Sequence, residues 1–178
     1  MPYHTTKKDR IMHIYSNSIV DGYLKDEFGK RGVCNKKPIR SFHVGWNDLP
    51  SNTQSLALVF VDHDAIPVCG FSWIHWTVAN IDPSLNELPE NASINMNLIE
   101  GVSSWASKLL HDDWRLSLED AIGYGGCAPP DKDHRYSITM YAINTKLDLT
   151  RGFYLNELLR QIDGNILEQK TIEAIYRA

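Results

Sequence analysis

The chain is short of the features that announce the commoner protein chemistries. It has no Lys/Arg block longer than two residues, and its formal charge is −4. The basic footprint of a nucleic-acid or anionic-membrane binder is therefore missing. No apolar run approaches the roughly 18–20 residues that a membrane-spanning helix needs. The polar stretch Met1–Arg10 lacks the hydrophobic centre of a signal peptide, so a cytoplasmic protein is expected. Cysteine is scarce: Cys34, Cys69 and Cys127 are odd in number, widely spaced and form no CxxC pair, which argues against a disulfide framework. There is no HExxH, no paired CxxC and no EF-hand loop, so no metal site is expected. A P-loop, a GxGxxG turn and a GxSxG nucleophile elbow are also absent. No cofactor is expected.

What is present fits one domain over residues 1–178, with Met1–Arg10 as a polar extension. Hydrophobic residues make up 43% of the chain, enough for a sizeable core. Residues 11–15 read as a first strand, and 18–41 as loop with short extended pieces. The run Leu56–Val61 is apolar, rich in strand formers and stops at Asp62, as a buried strand would. From Phe71 to Ile81 the period is two. Phe71, Trp73, His75, Thr77 and Ala79 are predicted on one face, and Ser72, Ile74, Trp76, Val78 and Asn80 on the other. Asp82-Pro83 ends this strand. Residues 82–130 are irregular, with a short helix expected near Leu116–Ala121 and a loop over Gly123–Pro130. Arg135–Ile143 is a further strand that sets His134 and Tyr136 on one face.

The last part changes period. Leu155, Leu158, Leu159, Ile162 and Ile166 recur at helical spacing, interrupted by Gly164. The pattern predicts a helix ending near Asp163, a second short helix after it, and an edge strand over Thr171–Tyr176. The fold class is mostly β (α+β), with an antiparallel sheet and peripheral helices.

Two polar clusters sit at the ends of apolar runs. One is Asp62-His63-Asp64-Ala65-Ile66-Pro67, followed by Trp73-Ile74-His75-Trp76. The other is Gly125-Gly126-Cys127-Ala128-Pro129-Pro130, followed by His134-Arg135-Tyr136. Imidazole can donate to a phosphate or carboxylate near neutral pH. Carboxylates can accept from an ammonium or fix a histidine tautomer, and a Gly-Gly turn lets backbone N–H groups approach an anion. Tryptophans can wall an apolar hollow or face a cation. Each feature also has a plain structural use: a core histidine, a turn-capping Asp, a simple Gly-Pro turn, a core indole. Joint occurrence at the ends of consecutive apolar runs favours a binding pocket. No nucleophile stands out, and Ser72 and Ser137 are predicted on the faces opposite the cluster histidines.

These motifs resemble the phosphatidylethanolamine-binding protein family, in its bacterial and archaeal, Raf-kinase-inhibitor-like branch. The family's Asp-Pro-Asp-Ala-Pro motif and Trp-x-His strand are matched by Asp62–Pro67 and Trp73–His75. Its Gly-Tyr-x-Gly-x-x-Pro-Pro and His-Arg-Tyr elements are matched by Gly123–Pro130 and His134–Tyr136. The flanks Ser41–Trp46, Gly164–Leu167 and Ile175-Tyr176 also match, so the resemblance covers roughly residues 11–177. It implies a central antiparallel sheet packed by a smaller one, a homodimer, and an anion pocket lined by Asp62, Asp64, Trp73, His75, Gly126, Pro129, His134 and Tyr136. It also implies phosphate-bearing head groups as ligands and, in some members, inhibition of kinases or proteases. This chain departs from the pattern at His63, which stands for Pro, at the inserted Ile66, at Phe42, and in the apparent insertion Asp112–Asp120 near the mouth.

The expected function is a non-enzymatic binding protein with one head-group pocket. His75 and His134 would donate to an anionic oxygen, Asp62 would orient His75 or meet an amine, Asp64 would support the loop, and Tyr136 would close one side. Affinity would then rise as pH falls from about 7.5 to 6. An inhibitor or scaffold acting on a partner enzyme is the alternative, with a weak phosphoester hydrolase behind it.

Overall fold

The computed structural model describes residues 11–178; the Met1–Arg10 extension lies outside them. Its main sheet has seven strands, and the longest sit together in its middle. They are β7 (Ser55–Asp62), β8 (Trp73–Ile81), β11 (His134–Ile143) and β12 (Ile166–Tyr176). The sheet order is β10-β8-β7-β11-β12-β3-β2, with β10 at Ile99–Glu100, β3 at Tyr23–Leu24 and β2 at Ile19–Val20. All neighbours are antiparallel except β12 and β3, which meet in parallel at Ile175 and Tyr23. A second sheet of three strands has the order β1-β6-β9: His13–Tyr15, Val44–Asn47 and Glu87–Leu88. A two-stranded ribbon pairs β4 (Cys34–Asn35) with β5 (Lys37–Pro38).

The apolar run of β7 is buried along its whole length, because both faces of the sheet are covered. Leu56, Leu58 and Phe60 face one core, shared with Ile138 and Met140 of β11 and with Ile14, Val44 and Trp46 of the small sheet. Ala57, Val59 and Val61 face a second core, closed by Phe153, Leu158 and Ile162. The last two belong to α4 (Leu155–Ile162), where Glu157 accepts a 2.7 Å bond from the Tyr154 N–H and so caps the first turn. Three one-turn helices punctuate the loops: α1 (Ile66–Cys69), α2 (Ala92–Asn95) and α3 (Leu118–Ala121). The last lies where a short helix was expected.

The alternation of β8 changes phase at His75. Val61 pairs with Ile74 and Phe60 with Trp76, so His75 has no partner in the ladder. An extra residue in one strand turns its side chain toward the same face as its neighbour. Trp76 and Val78 therefore join the Phe60 core, while Ala79 joins the opposite one. The simple alternation sets Trp76 and Val78 opposite Trp73 and His75; the extra residue brings Trp73 and Trp76 to the same face, and the predicted separation of Trp76 and Val78 from Ala79 is kept. A second register shift, between Leu56 and Leu58, accommodates Asn80 at φ 53. Asn tolerates that left-handed conformation, and here its side-chain amide bonds both the N–H and the C=O of Leu147 at 2.8 Å.

The C-terminal expectation needs correction. No second helix follows α4. Gly164, at φ +74, turns the chain, and β12 runs from Ile166 as a strand of 11 residues beside β11. Nor is Thr171–Tyr176 an edge throughout, since Ile175 pairs with Tyr23 on the far side. The pairing extends along all of β11, with Thr139 bonded to Thr171 at 2.8 Å and Arg135 to Glu173 at 3.0 Å. So many cross-strand contacts outweigh the weak helical spacing of Ile166.

Candidate functional site

The polar clusters meet because three strands bring their ends to one place. Asp62, the last residue of β7, pairs with Tyr136 of β11 on one side and with Trp73, the first residue of β8, on the other. His134 opens β11 two residues before Tyr136. The two motifs, distant in sequence, thus stand side by side at one end of the sheet.

Asp62 organises this end. One carboxylate oxygen accepts from the Ala65 N–H at 3.1 Å and fixes the turn into α1. The other lies 2.7 Å from His134 Nδ1. Asp62 thus orients His134 rather than His75. The second ring nitrogen of His134 lies 2.8 Å from Asp131, whose side chain is half exposed. Burial works against charge on this ring, and the bonds to Asp62 and Asp131 outweigh it, so the His134 pKa is raised. Asp64 accepts the Arg135 N–H at 2.8 Å and ties the turn to β11.

His75 has a different environment. Its Nδ1 lies 2.5 Å from the Gly125 carbonyl oxygen, which can only accept, so Nδ1 carries the proton and Nε2 is left as an acceptor. Complete burial pushes the pKa down to about 4. The ring is neutral at pH 6–7.5, which corrects its expected role as a charged donor.

The Gly123–Pro130 loop packs against this histidine. The Gly125 N–H donates to His75 O and the Gly126 N–H to Pro38 O, each at 2.9 Å. Both glycine amides are therefore committed to the backbone, not offered to an anion. A Cβ on Gly126 would collide with the Phe28 carbonyl oxygen, so close approach of two chains demands glycine there. Tyr136 packs behind the histidines, edge-on to His75 with ring centres 5.2 Å apart and tilted against His134 at 6.4 Å. Its buried hydroxyl has no hydrogen-bond partner, and burial raises its pKa far above the usual tyrosine range.

A cavity of about 320 Å³ opens in front of these groups. Asp62, Trp73, His75, Pro129 and His134 are among its lining residues. Asp64, Gly126 and Tyr136 are not in its wall; they support it from behind. Its other walls are almost all apolar: Ala65, Val68 and Cys69 from α1 and the turn before it, and Ala128 and Pro130 from the loop. Sequence reasoning missed Trp105, Leu110 and Trp114, which the irregular 104–117 stretch contributes, and also Asp131. The available signal was Trp114, an indole in a charged stretch with no core to enter; it is 68% exposed. Ser72 and Ser137 lie in a separate groove on the other face of the sheet, against Leu155 and Leu159 of α4, as their strand positions predicted. Among the described residues, no group of three or more His, Cys, Asp or Glu side chains could hold a metal ion, and no helix is long and apolar enough to cross a membrane.

Comparison with known proteins identifies the family and the fold. The phosphatidylethanolamine-binding protein family model matches residues 16–177. The uncharacterized protein YxkA of Bacillus subtilis is 44% identical over 93% of this chain and 99% of its own length. A UPF0098 protein of Methanothermobacter thermautotrophicus is 31% identical over 75% of this chain and 80% of its own. Among solved structures, CT736 of Chlamydia trachomatis, a homologue of phosphatidylethanolamine-binding protein, superposes with a TM-score of 0.77 at 25% identity. That match covers 95% of this chain and 99% of the other. YbcL of Escherichia coli shares the fold, with a TM-score of 0.72 at 23% identity over 94% of this chain and 98% of its own. The chain belongs to the phosphatidylethanolamine-binding protein family.

Proposed function

We propose that the chain is a binding protein whose cavity takes a small ligand carrying a phosphate group, as in a phospholipid head group. One observation carries the reading: His134, at the cavity wall, is held on one side by buried Asp62 and on the other only by half-exposed Asp131. A ligand oxygen that displaces Asp131 inherits a charge-assisted hydrogen bond from a ring already oriented by Asp62. His75, being neutral, contributes an acceptor and an aromatic wall. The family description names phosphatidylethanolamine, which supports extending the head-group class to this chain. A small site with a few such contacts gives affinity of about micromolar to millimolar.

An amide NMR titration with phosphorylethanolamine at pH 6 tests this. Saturable shifts at residues 62–64, 73–75 and 125–136 are expected in the wild type and should vanish in His134→Ala. No shift at millimolar ligand, with the spectrum otherwise that of a folded protein, removes the proposal.

A further inference from the structure

The indoles at the cavity are disposed in a way that phosphate recognition does not use. Trp73 and Trp105 stand nearly perpendicular, at 83° with ring centres 5.3 Å apart, and form a corner. Trp105 is held in place from three directions. Its neighbour Ser104 accepts the Ile74 N–H at 2.8 Å, its own carbonyl accepts the Leu116 N–H at 2.8 Å, and its ring lies where a side chain on Gly125 would be. The Nε1 atoms of both rings are buried without partners. They are enclosed in the wall, so ring carbons are what the cavity meets. Trp114 adds a third indole to the same cavity, on a segment whose other side chains are mostly exposed.

Away from His134, which faces the anion, the cavity wall carries no cationic side chain among the described residues. Asp62 is the one carboxylate among its lining residues, and neither Lys nor Arg is found there among the described residues. His75 presents an acceptor nitrogen. Aromatic faces, a carboxylate and apolar side chains form an environment that attracts a cation with little hydration to lose.

We propose that Trp73, Trp105 and Trp114 form a subsite for a methylated ammonium group, occupied by the positive end of a zwitterionic ligand. The inference rests on the reading of this cavity as a ligand pocket, and it places the ammonium against the indoles while the phosphate meets His134. A primary ammonium holds its water tightly and finds few acceptors here. A methylated one spreads its charge over apolar surface, which the three rings match.

The test is a titration of the protein with tetramethylammonium chloride at constant ionic strength, set against sodium chloride and read at the indole N–H resonances. The expected result is saturable movement of the Trp73, Trp105 and Trp114 signals with tetramethylammonium alone. Binding should weaken about three- to tenfold in Trp114→Leu and about tenfold or more in Trp105→Leu. Trp114 is exposed, so its variant keeps the test intact if Trp105→Leu fails to fold. Phosphocholine should compete with tetramethylammonium. Identical responses to the two salts, or unchanged binding in Trp114→Leu, would overturn the subsite. Inorganic phosphate serves as a separate arm. A phosphate response around His134 without a tetramethylammonium response sinks the cation subsite and leaves the phosphate reading standing; the reverse pattern sinks the phosphate reading and supports the subsite.

Discussion

His134 and Asp131 are three residues apart, and the Nε2 of one lies 2.8 Å from a carboxylate oxygen of the other. With Asp62 at 2.7 Å on Nδ1, a single imidazole is shared by two carboxylates. The inner one is buried, and the outer one is half exposed and replaceable.

Asp131 therefore competes with any anion for His134. Asp131→Ala should raise affinity for phosphorylethanolamine at pH 6 by about three- to tenfold, the modest size expected of a partly solvated ion pair. The same variant should lower the His134 pKa, because one of its two stabilising carboxylates is gone. NMR titration reads both quantities. Weaker ligand binding in Asp131→Ala would show that Asp131 belongs to the ligand's own contacts.

The two histidines should give opposite pH dependences. The folded-state pKa of His134 is raised, so its contribution to stability is fully present below about 6.5 and is lost as pH rises through the folded value. That of His75 is lowered to about 4. Between about 6.5 and 4 the unfolded chain takes up a proton that the folded chain refuses, so stability falls with pH by up to roughly 3 kcal/mol. Urea unfolding at pH 7, 5.5 and 4.5 should show this loss, and His75→Asn should flatten it. An equally steep loss in that variant would assign the effect elsewhere.

Gly126→Ala tests the close approach of the loop to the Phe28 carbonyl. A new Cβ would also press on Pro38 and Tyr124, none of which can move without displacing the core. The expected cost is about 2–4 kcal/mol, read as a lower denaturation midpoint with an unchanged slope. A cost below about 0.5 kcal/mol would mean that the loop yields freely.

Trp76→Phe should expose a dependence that packing alone would not create. Trp76 Nε1 donates to Glu100 Oε1 at 2.7 Å, and burial already raises the pKa of that carboxyl. Phe fills most of the space but leaves Glu100 short of a donor, at a cost of about 1–3 kcal/mol. The Glu100 pKa should rise further, so the deficit should shrink as pH is lowered. A deficit independent of pH would place the cost in lost ring volume instead.

The parts of the fold that were legible in the sequence are those with one dominant local signal. Leu56–Val61 is apolar throughout because β7 is covered on both faces, and the helical spacing of Leu155 to Ile162 belongs to an amphipathic helix on the second core. The Asp62, Trp73, His75 and His134 constellation was legible because Asp62, Trp73 and His134 stand at strand ends and His75 follows Trp73 by two residues. What stayed hidden depends on pairing across the sheet. The extra residue at His75 and the strand character of Ile166–Tyr176 are set by partners far along the chain. Trp105 and Trp114 were hidden because the 104–117 stretch has no periodicity, and its course is fixed by individual bonds such as Ser104 to Ile74.

The unpaired position at His75 has a further meaning for how this chain can change. A strand normally has one reading frame, and moving it by one residue exchanges inside for outside along its whole length. Here a single unmatched residue separates two frames within β8. Trp73 and His75 belong to the cavity wall, while Trp76 and Val78 belong to the large core. Substitutions at Trp73 can accordingly reshape the cavity with little effect on the edge-to-face ring cluster of Phe42, Trp76 and Tyr124. The unmatched position is the one place in β8 where a residue can be lost without inverting the strand. Deleting His75 would make the pairs of Asp62 with Trp73, Val61 with Ile74 and Phe60 with Trp76 consecutive, keeping the core faces while removing one wall of the cavity.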